Sequence, residues 1–342
     1  MSAGGPRIPS GGGPDTAAVA EQLRLVVRGE VGTDVSLAPF TSYRLGGPAA
    51  VLVQAADEAD LVAAGRLAAA CGMPIVSLGR GSNVLVSDRG FPGVVVRLGR
   101  GFEWISVAGA VLEAGGATPL PRLANRAASR GLSGLEFAVA IPASLGGAVR
   151  MNAGAHRSAL SDVLEWVRLY RLGADAPSVV DAAGLGLRYR TSGLDDADIV
   201  CAARLCLAPA DRGEIAERMR AFRDHRSATQ PAEARNAGSM FKNPDPEPEA
   251  APGTQPSPSA GRLIEEAGLK GRRVGGAEVS ERHANFIVAR TGATASDVHR
   301  LLALVQSAVL ASTGVLLVPE VRLLGPFDEP ALLGPAGAGG PS

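Results

Sequence analysis

The pentapeptide Gly79-Arg80-Gly81-Ser82-Asn83 stands between two short β-branched runs, 74–77 and 84–86. That placement limits what the chain can become. Glycines let a backbone take positive φ and turn successive N–H groups toward one point. Such a nest attracts anionic oxygens, and the Ser82 and Asn83 side chains add donors. No helical pattern follows the glycines, so this is not the dinucleotide fingerprint of a doubly wound sheet. A pyrophosphate is the natural ligand for such a loop; a plain Gly-rich hairpin is the alternative.

Two more runs of small residues lie in the same half of the chain. One is Thr41-Ser42-Tyr43-Arg44-Leu45-Gly46-Gly47-Pro48-Ala49. The other extends from Gly134 through Ala143-Ser144-Leu145-Gly146-Gly147 to Asn152-Ala153-Gly154-Ala155. Small residues at this density permit close approach of backbone to a flat ligand or to another chain segment. One such run would be a loop; three in one domain favour a large nucleotide cofactor.

The 342 residues suggest two domains. Helical periodicity marks 16–28, 58–71, 119–130, 212–226, 260–267 and 295–313, with Ser296 as the expected N-cap of the last. Asp57 or Glu58 opens the second, and Gly72 closes it. Strand patterns mark 50–54, 74–77, 84–86, 93–97, 104–107, 163–170, 186–190, 199–207, 286–288 and 314–324. The first part is mostly strand and the part after about residue 210 is helix-rich, so the fold class is α+β and the boundary falls near 210. Residues 1–14, the Pro-rich stretch 245–258 and the tail 328–342 read as disordered.

Lys+Arg and Asp+Glu balance at 34 each and aromatics are only 4%, which argues against a nucleic-acid binder. Three cysteines make no disulfide framework and fit a reducing, cytoplasmic compartment. No run of about 20 apolar residues suggests a membrane span. The four histidines lack metal-ligand spacing, so no metal is expected, and His283 reads as a polar contact or a core histidine. There are only two lysines, Lys242 and Lys270, and Lys270 can complement a helix dipole.

Candidate chemistry lies downstream. In Asn236-Ala237-Gly238-Ser239-Met240-Phe241-Lys242-Asn243-Pro244, Ser239 is a proton donor, a nucleophile or simply a turn residue; the absence of a Gly-x-Ser-x-Gly elbow disfavours hydrolysis. Arg190 ends an expected strand. Glu320 follows an apolar run, where burial would favour its proton-donating form, or it pairs with Arg322 on the same strand face.

Taken in order, the motifs TSYRLGGPA, LGRGSNVLVSDRGFPGVV, GLSGLEFAVAIPASLGGAVRMNAGA, RYRTS, NAGSMFKNP, AGRLIEEAGLKG, SERHANFIV and VPEVRLLG resemble the UDP-N-acetylenolpyruvoylglucosamine reductase family over about 33–325. The resemblance implies a two-subdomain FAD-binding domain of the vanillyl-alcohol-oxidase-like type over 15–209 and a smaller α+β substrate domain over 210–327. It implies non-covalent FAD, NADPH as co-substrate and a sugar-nucleotide substrate, and leaves the oligomeric state open with a monomer as one option. It also implies hydride transfer from flavin N5 to C3 of an enolpyruvyl group and protonation at C2.

Carried over by residue, Ser239 corresponds to the proton donor, and Arg190 and Glu320 to residues that stabilise the intermediate. Gly79, Gly81, Ser82 and Asn83 correspond to the flavin pyrophosphate loop. Tyr43, Arg44, Gly46, Gly47, Gly146, Gly147, Asn152, Ala153 and Gly154 correspond to other FAD contacts, and Asn243 and His283 to substrate contacts. Ala143 stands where the family has glycine, and 191–199 has no room for a Tyr-bearing substrate loop, so the chain resembles the subtype without one. The alternatives are an FAD oxidoreductase with another substrate and a non-catalytic nucleotide-binding protein.

Overall fold

The computed structural model describes residues 15–231, 235–244, 258–328 and 331–333. The extension 1–14, residues 245–257 of the Pro-rich stretch and residues 334–342 of the tail lie outside the described residues.

The first lobe is a four-stranded sheet of β1 (Glu30–Ser36), β2 (Pro48–Ala55), β3 (Ile75–Ser77) and β5 (Phe91–Leu98), in the order β1-β2-β5-β3. β1 is antiparallel to β2, whereas β2 and β3 flank β5 in parallel. The almost wholly apolar β2 and β5 are covered on both faces, as parallel strands require. On one face α1 (Thr16–Val26) and α2 (Glu58–Ala70) seat Leu23, Leu61 and Ala64 over Val51, Val53 and Val94. On the other, Leu52, Val76 and Val95 pack with Leu37 and Val86. Asp57 caps α2 by accepting from the Asp60 N–H, and Gly72 follows the helix at φ +62°.

The second lobe is antiparallel throughout. β6 (Ile105–Ala108), β7 (Val111–Gly115), β11 (Leu164–Arg171), β12 (Ser178–Asp181) and β13 (Asp198–Cys206) run in the order β12-β11-β13-β7-β6. Cys201 is buried in β13 and Cys206 exposed, so the two thiols face apart. α3 (Leu120–Ser129), α4 (Leu145–Arg150) and α5 (Arg212–Thr229) close its core. Two-residue pairings join β8 (Leu132–Ser133) to β14 (Ala208–Pro209) and β9 (Gly154–Ala155) to β10 (Ser158–Ala159).

The third unit packs α6 (Ala260–Glu266) and α7 (Ala295–Thr313) on β15 (Arg273–Val274), β16 (Ala277–Val279) and β17 (Ile287–Ala289). Its core recruits Tyr43, Leu45 and Leu85 from the first lobe. A parallel pairing of β4 (Val84–Val86) with β18 (Arg322–Leu324) fastens the end of this unit to the strand that follows the glycine loop.

Several sequence expectations change. Core membership passes to the third unit after α5, not at 210, because Ile215 and Met219 bury into the second lobe. Residues 186–190 are no strand: a 3-10 turn over Ala182–Leu185 is followed by a tight turn in which Arg188 and Thr191 exchange both backbone hydrogen bonds. Within 314–324 only β18 is a strand, since Pro319 cannot donate to a ladder. Two glycines hid α4, which Ser144 caps. Polar alternation hid β1. Part of the expected tail is held: Gln306 exchanges two hydrogen bonds with the Leu333 backbone.

The cap of α7 is Thr294, in a capping box with Asp297. Ser296 instead donates its N–H and hydroxyl to Asp88, which also accepts from the Ala295 N–H. Asp88 therefore ties the first lobe to a helix N-terminus, where a carboxylate is favoured. Asp88→Ala is expected to lower stability by about 1 kcal/mol in urea denaturation with an unchanged m-value.

Candidate active site

The three units enclose a cavity of about 730 Å³, within the usual range for a ligand site. Its walls include Gly79, Gly81, Ser82 and Asn83 from the β3–β4 loop, and Gly146, Gly147, Ala153 and Gly154 from the second lobe. Arg190, Ser239, Asn243 and Glu320 complete the set of expected residues that line it. Residues more than 200 positions apart thus share one wall.

The geometry around Glu320 explains their meeting. Glu320 N–H donates to the Met240 carbonyl at 2.8 Å, which sets the Ser239 segment beside it. Asn83 Nδ2 donates to the Glu320 carbonyl at 3.0 Å, and the Arg322 N–H donates to the Asn83 carbonyl at 3.0 Å. The glycine loop therefore holds both ends of the Glu320 turn. Arg190 Nε lies 3.3 Å from Glu320 Oε1, and its Nη2 donates to the Gly154 carbonyl at 2.6 Å. Arg190 has φ +51°, an uncommon conformation for a side chain this bulky, as happens at sites where aim matters more than local ease. The alternative pairing of Glu320 with Arg322 gives way to Arg190, and Arg322 pairs with Asp196. Burial pushes the Glu320 carboxyl up, and Arg190 and Lys242 pull it back in part.

Six expected contacts lie off the cavity wall. Tyr43 is fully buried in the third unit's core, where its hydroxyl donates to the Ile287 carbonyl at 2.9 Å. Burial raises its pKa, so it stays a neutral donor. Arg44 donates to the Pro39 carbonyl at 2.8 Å. An added Cβ would strike Val86 at Gly46 and the Asp88 carbonyl at Gly47, so this run serves approach to another chain segment. Its cavity residue is Ser42. Asn152 joins two loops, donating to Arg188 O and accepting from Ser161 N. His283 packs edge-on to Phe286 and accepts from the Asn285 N–H at 3.2 Å through Nδ1. Burial, with Lys270 nearby, pushes its pKa down and preserves that acceptor. Lys270 itself pairs with Glu265 at 2.6 Å.

Other lining residues carried weaker signals. Arg97 interrupts the apolar strand β5, sits over the Phe40 ring and has a buried Nε with no protein partner. Gln230 Oε1 is likewise buried and unpaired. Arg226, one helical turn before Gln230, has its pKa lowered by burial. In the run His283-Ala284-Asn285 it is the asparagine, not the histidine, that lines the cavity.

The glycine run and these unpaired groups fit a large anionic dinucleotide. Gly81 (φ +61°) could not carry a Cβ without overlapping the Phe40 carbonyl. Ala143 is outside the left-handed region, so alanine is tolerated there.

Comparison with known proteins agrees. The C-terminal domain of UDP-N-acetylenolpyruvoylglucosamine reductase matches residues 230–324, and an FAD binding domain matches residues 49–173. A protein of that name from Anaeromyxobacter sp. (strain Fw109-5) is 42% identical over 94% of this chain and 97% of its own length. One from Acidiphilium cryptum is 44% identical over 87% and 93%. The chain belongs to the UDP-N-acetylenolpyruvoylglucosamine reductase family. The crystal structure of the Thermus caldophilus reductase superposes with a TM-score of 0.71 at 38% identity, covering 87% of this chain and 99% of that one. Like its family, this chain is an FAD-dependent oxidoreductase, with a two-lobed FAD-binding unit and a small C-terminal domain. No helix among the described residues is long and apolar enough to cross a membrane.

Gly81→Ala is expected to weaken FAD binding at least tenfold in flavin-fluorescence titration of the apoprotein while far-UV circular dichroism is retained. Unchanged affinity would remove the loop from the cofactor site.

Proposed function

We propose that this chain reduces UDP-N-acetylglucosamine enolpyruvate to UDP-N-acetylmuramate at the expense of NADPH, a cytoplasmic step in peptidoglycan precursor synthesis. The observation that carries the reading is the convergence of Ser239, Arg190 and Glu320 on the cavity wall, with Glu320 hydrogen-bonded to the neighbour of Ser239. That set suits a carboxylate-activated alkene.

FAD, which the Gly79–Asn83 loop and the walls at Gly146, Gly147 and Gly154 would hold, would supply hydride chemistry from N5 toward C3 of the enolpyruvyl group, with NADPH as the reductant. Arg190 grips the enolpyruvyl carboxylate, for which its planar, always-charged fork is suited. Glu320 in its acid form donates a hydrogen bond to the same carboxylate as it gains enolate character. Ser239 Oγ gives its proton to C2. Asn243 serves as a substrate contact; its Oδ1 is held by the Ala260 N–H at 3.0 Å.

NADPH oxidation that requires the sugar nucleotide tests the reading directly. In anaerobic stopped flow, Ser239→Ala should keep flavin reduction by NADPH and slow reoxidation by substrate by roughly 10²–10⁴-fold. Equal loss of both half-reactions would remove Ser239 from proton delivery.

A pH profile tests Glu320. Its pKa is raised, so the acid form persists above the ordinary carboxylate range and is lost as pH rises through the elevated value. Reoxidation should fall along that limb. Glu320→Gln should be slower overall and flat there; an unchanged limb would assign the ionisation to another group.

A further inference from the structure

Asn285 is polar yet only 4% exposed, and both ends of its side-chain amide engage a single backbone residue. Oδ1 accepts from the Phe241 N–H at 3.0 Å, and Nδ2 donates to the Phe241 carbonyl at 2.8 Å. The Asn285 carbonyl accepts from the Met240 N–H at 2.9 Å. On the opposite side, Met240 O accepts from Glu320 N at 2.8 Å and Lys242 N donates to Val318 O at 2.9 Å. The segment after Ser239 therefore lies between two rails, Asn285 on one side and 318–320 on the other. Sliding Phe241 by one residue would leave a buried donor and a buried acceptor unpaired, a strong penalty. Gly238 (φ +80°) precedes Ser239 and confers no stiffness, so the register comes from the rails. Behind Asn285, His283 Nδ1 holds the Asn285 N–H.

We propose that Asn285 is a positioning residue for proton delivery. It fixes the register of the Ser239 segment against Glu320, and with it the place from which Ser239 Oγ reaches the substrate carbon. Asn285 also lines the cavity, so its clamp is at the site rather than remote from it. The inference rests on the reaction proposed above and adds a residue that acts through Ser239.

The test uses FAD-loaded Asn285→Ala and Asn285→Asp in anaerobic stopped flow, beside Ser239→Ala and the unaltered protein. Aspartate keeps the acceptor for Phe241 N–H but sets its second oxygen against the Phe241 carbonyl. Flavin reduction by NADPH is expected to stay within about twofold, since the proposed role acts only through the register of the Ser239 segment. Reoxidation by the enolpyruvyl sugar nucleotide is expected to slow roughly 30–100-fold, the scale of a misplacement of about 1 Å. The solvent deuterium isotope effect on reoxidation should rise, because proton delivery becomes limiting.

A merely structural role would slow both half-reactions alike and leave the isotope effect unchanged, and that result overturns the assignment. If Ser239→Ala itself spares reoxidation, the proton-donor reading fails first, and the inference with it. Should neither Asn285 variant fold, His283→Gln probes the same clamp from behind. A selective three- to tenfold slowing of reoxidation supports the proposal; anything unselective overturns it.

Discussion

Three residue pairs of parallel ladder, Val84–Val86 against Arg322–Leu324, hold the site together. Upstream of β4 is the glycine loop; just upstream of β18 is Glu320. Pairing the strands forces loop and carboxylate to adjoin, and Asn83 bonds to both ends of the Glu320 turn. The ladder is short, so its isolated stability would be small. It persists because Leu85 is buried in the third unit's core, and Val86 and Leu324 in the first lobe's. The glycine loop and the Glu320 carboxylate are thus positioned by the joint between cores.

The charge of the chain is zero, yet the cavity is not neutral. Arg80, Arg97, Arg150, Arg190, Arg226 and Arg322 line it against Glu103, Asp198 and Glu320. Asp198 is already engaged by Arg171 through two 3.0 Å hydrogen bonds, and burial favours neutral Glu320. Clustering like charges in a recess raises their mutual repulsion, seen in the lowered pKa values of Arg97 and Arg150 after the larger effect of burial. The same clustering makes the recess receptive to anions. A chain-wide balance argues against broad nucleic-acid binding while saying nothing about a local field.

The sequence made the helices legible because long amphipathic repeats are local: all six expected helices exist, displaced by at most a few residues. It made the glycine loop and the Ser239, Arg190, Glu320 set legible through ordered motifs. It failed where partners are distant. Nothing near Tyr43 reveals that its hydroxyl bonds Ile287. Nothing near Ser296 reveals Asp88 as its acceptor. The TSYRLGGPA run looked like a ligand surface because glycine signals close approach without naming what approaches; here it is Val86 and Asp88. The alternation of Leu185, Leu187 and Tyr189 with small and charged residues reads as a strand, whereas Arg190 sits in a tight turn at φ +51° fixed by Arg188 and Thr191.

That turn bears on why the ion pair exists. Arg190 and Glu320 are 22% and 15% exposed, and burying such a pair seldom stabilises a fold relative to apolar side chains. The positive φ at Arg190 adds a further local cost. Glu320 retains a raised pKa despite its partner, so a single 3.3 Å contact does not offset its desolvation. A pair optimised for stability would be bidentate and would depress the carboxyl. This one leaves the guanidinium with unused donors and favours the acid form of Glu320, two conditions that the proposed grip on a substrate carboxylate would use. The strain and the weak pairing are better explained by what the two groups must do to a third than by what they do for each other.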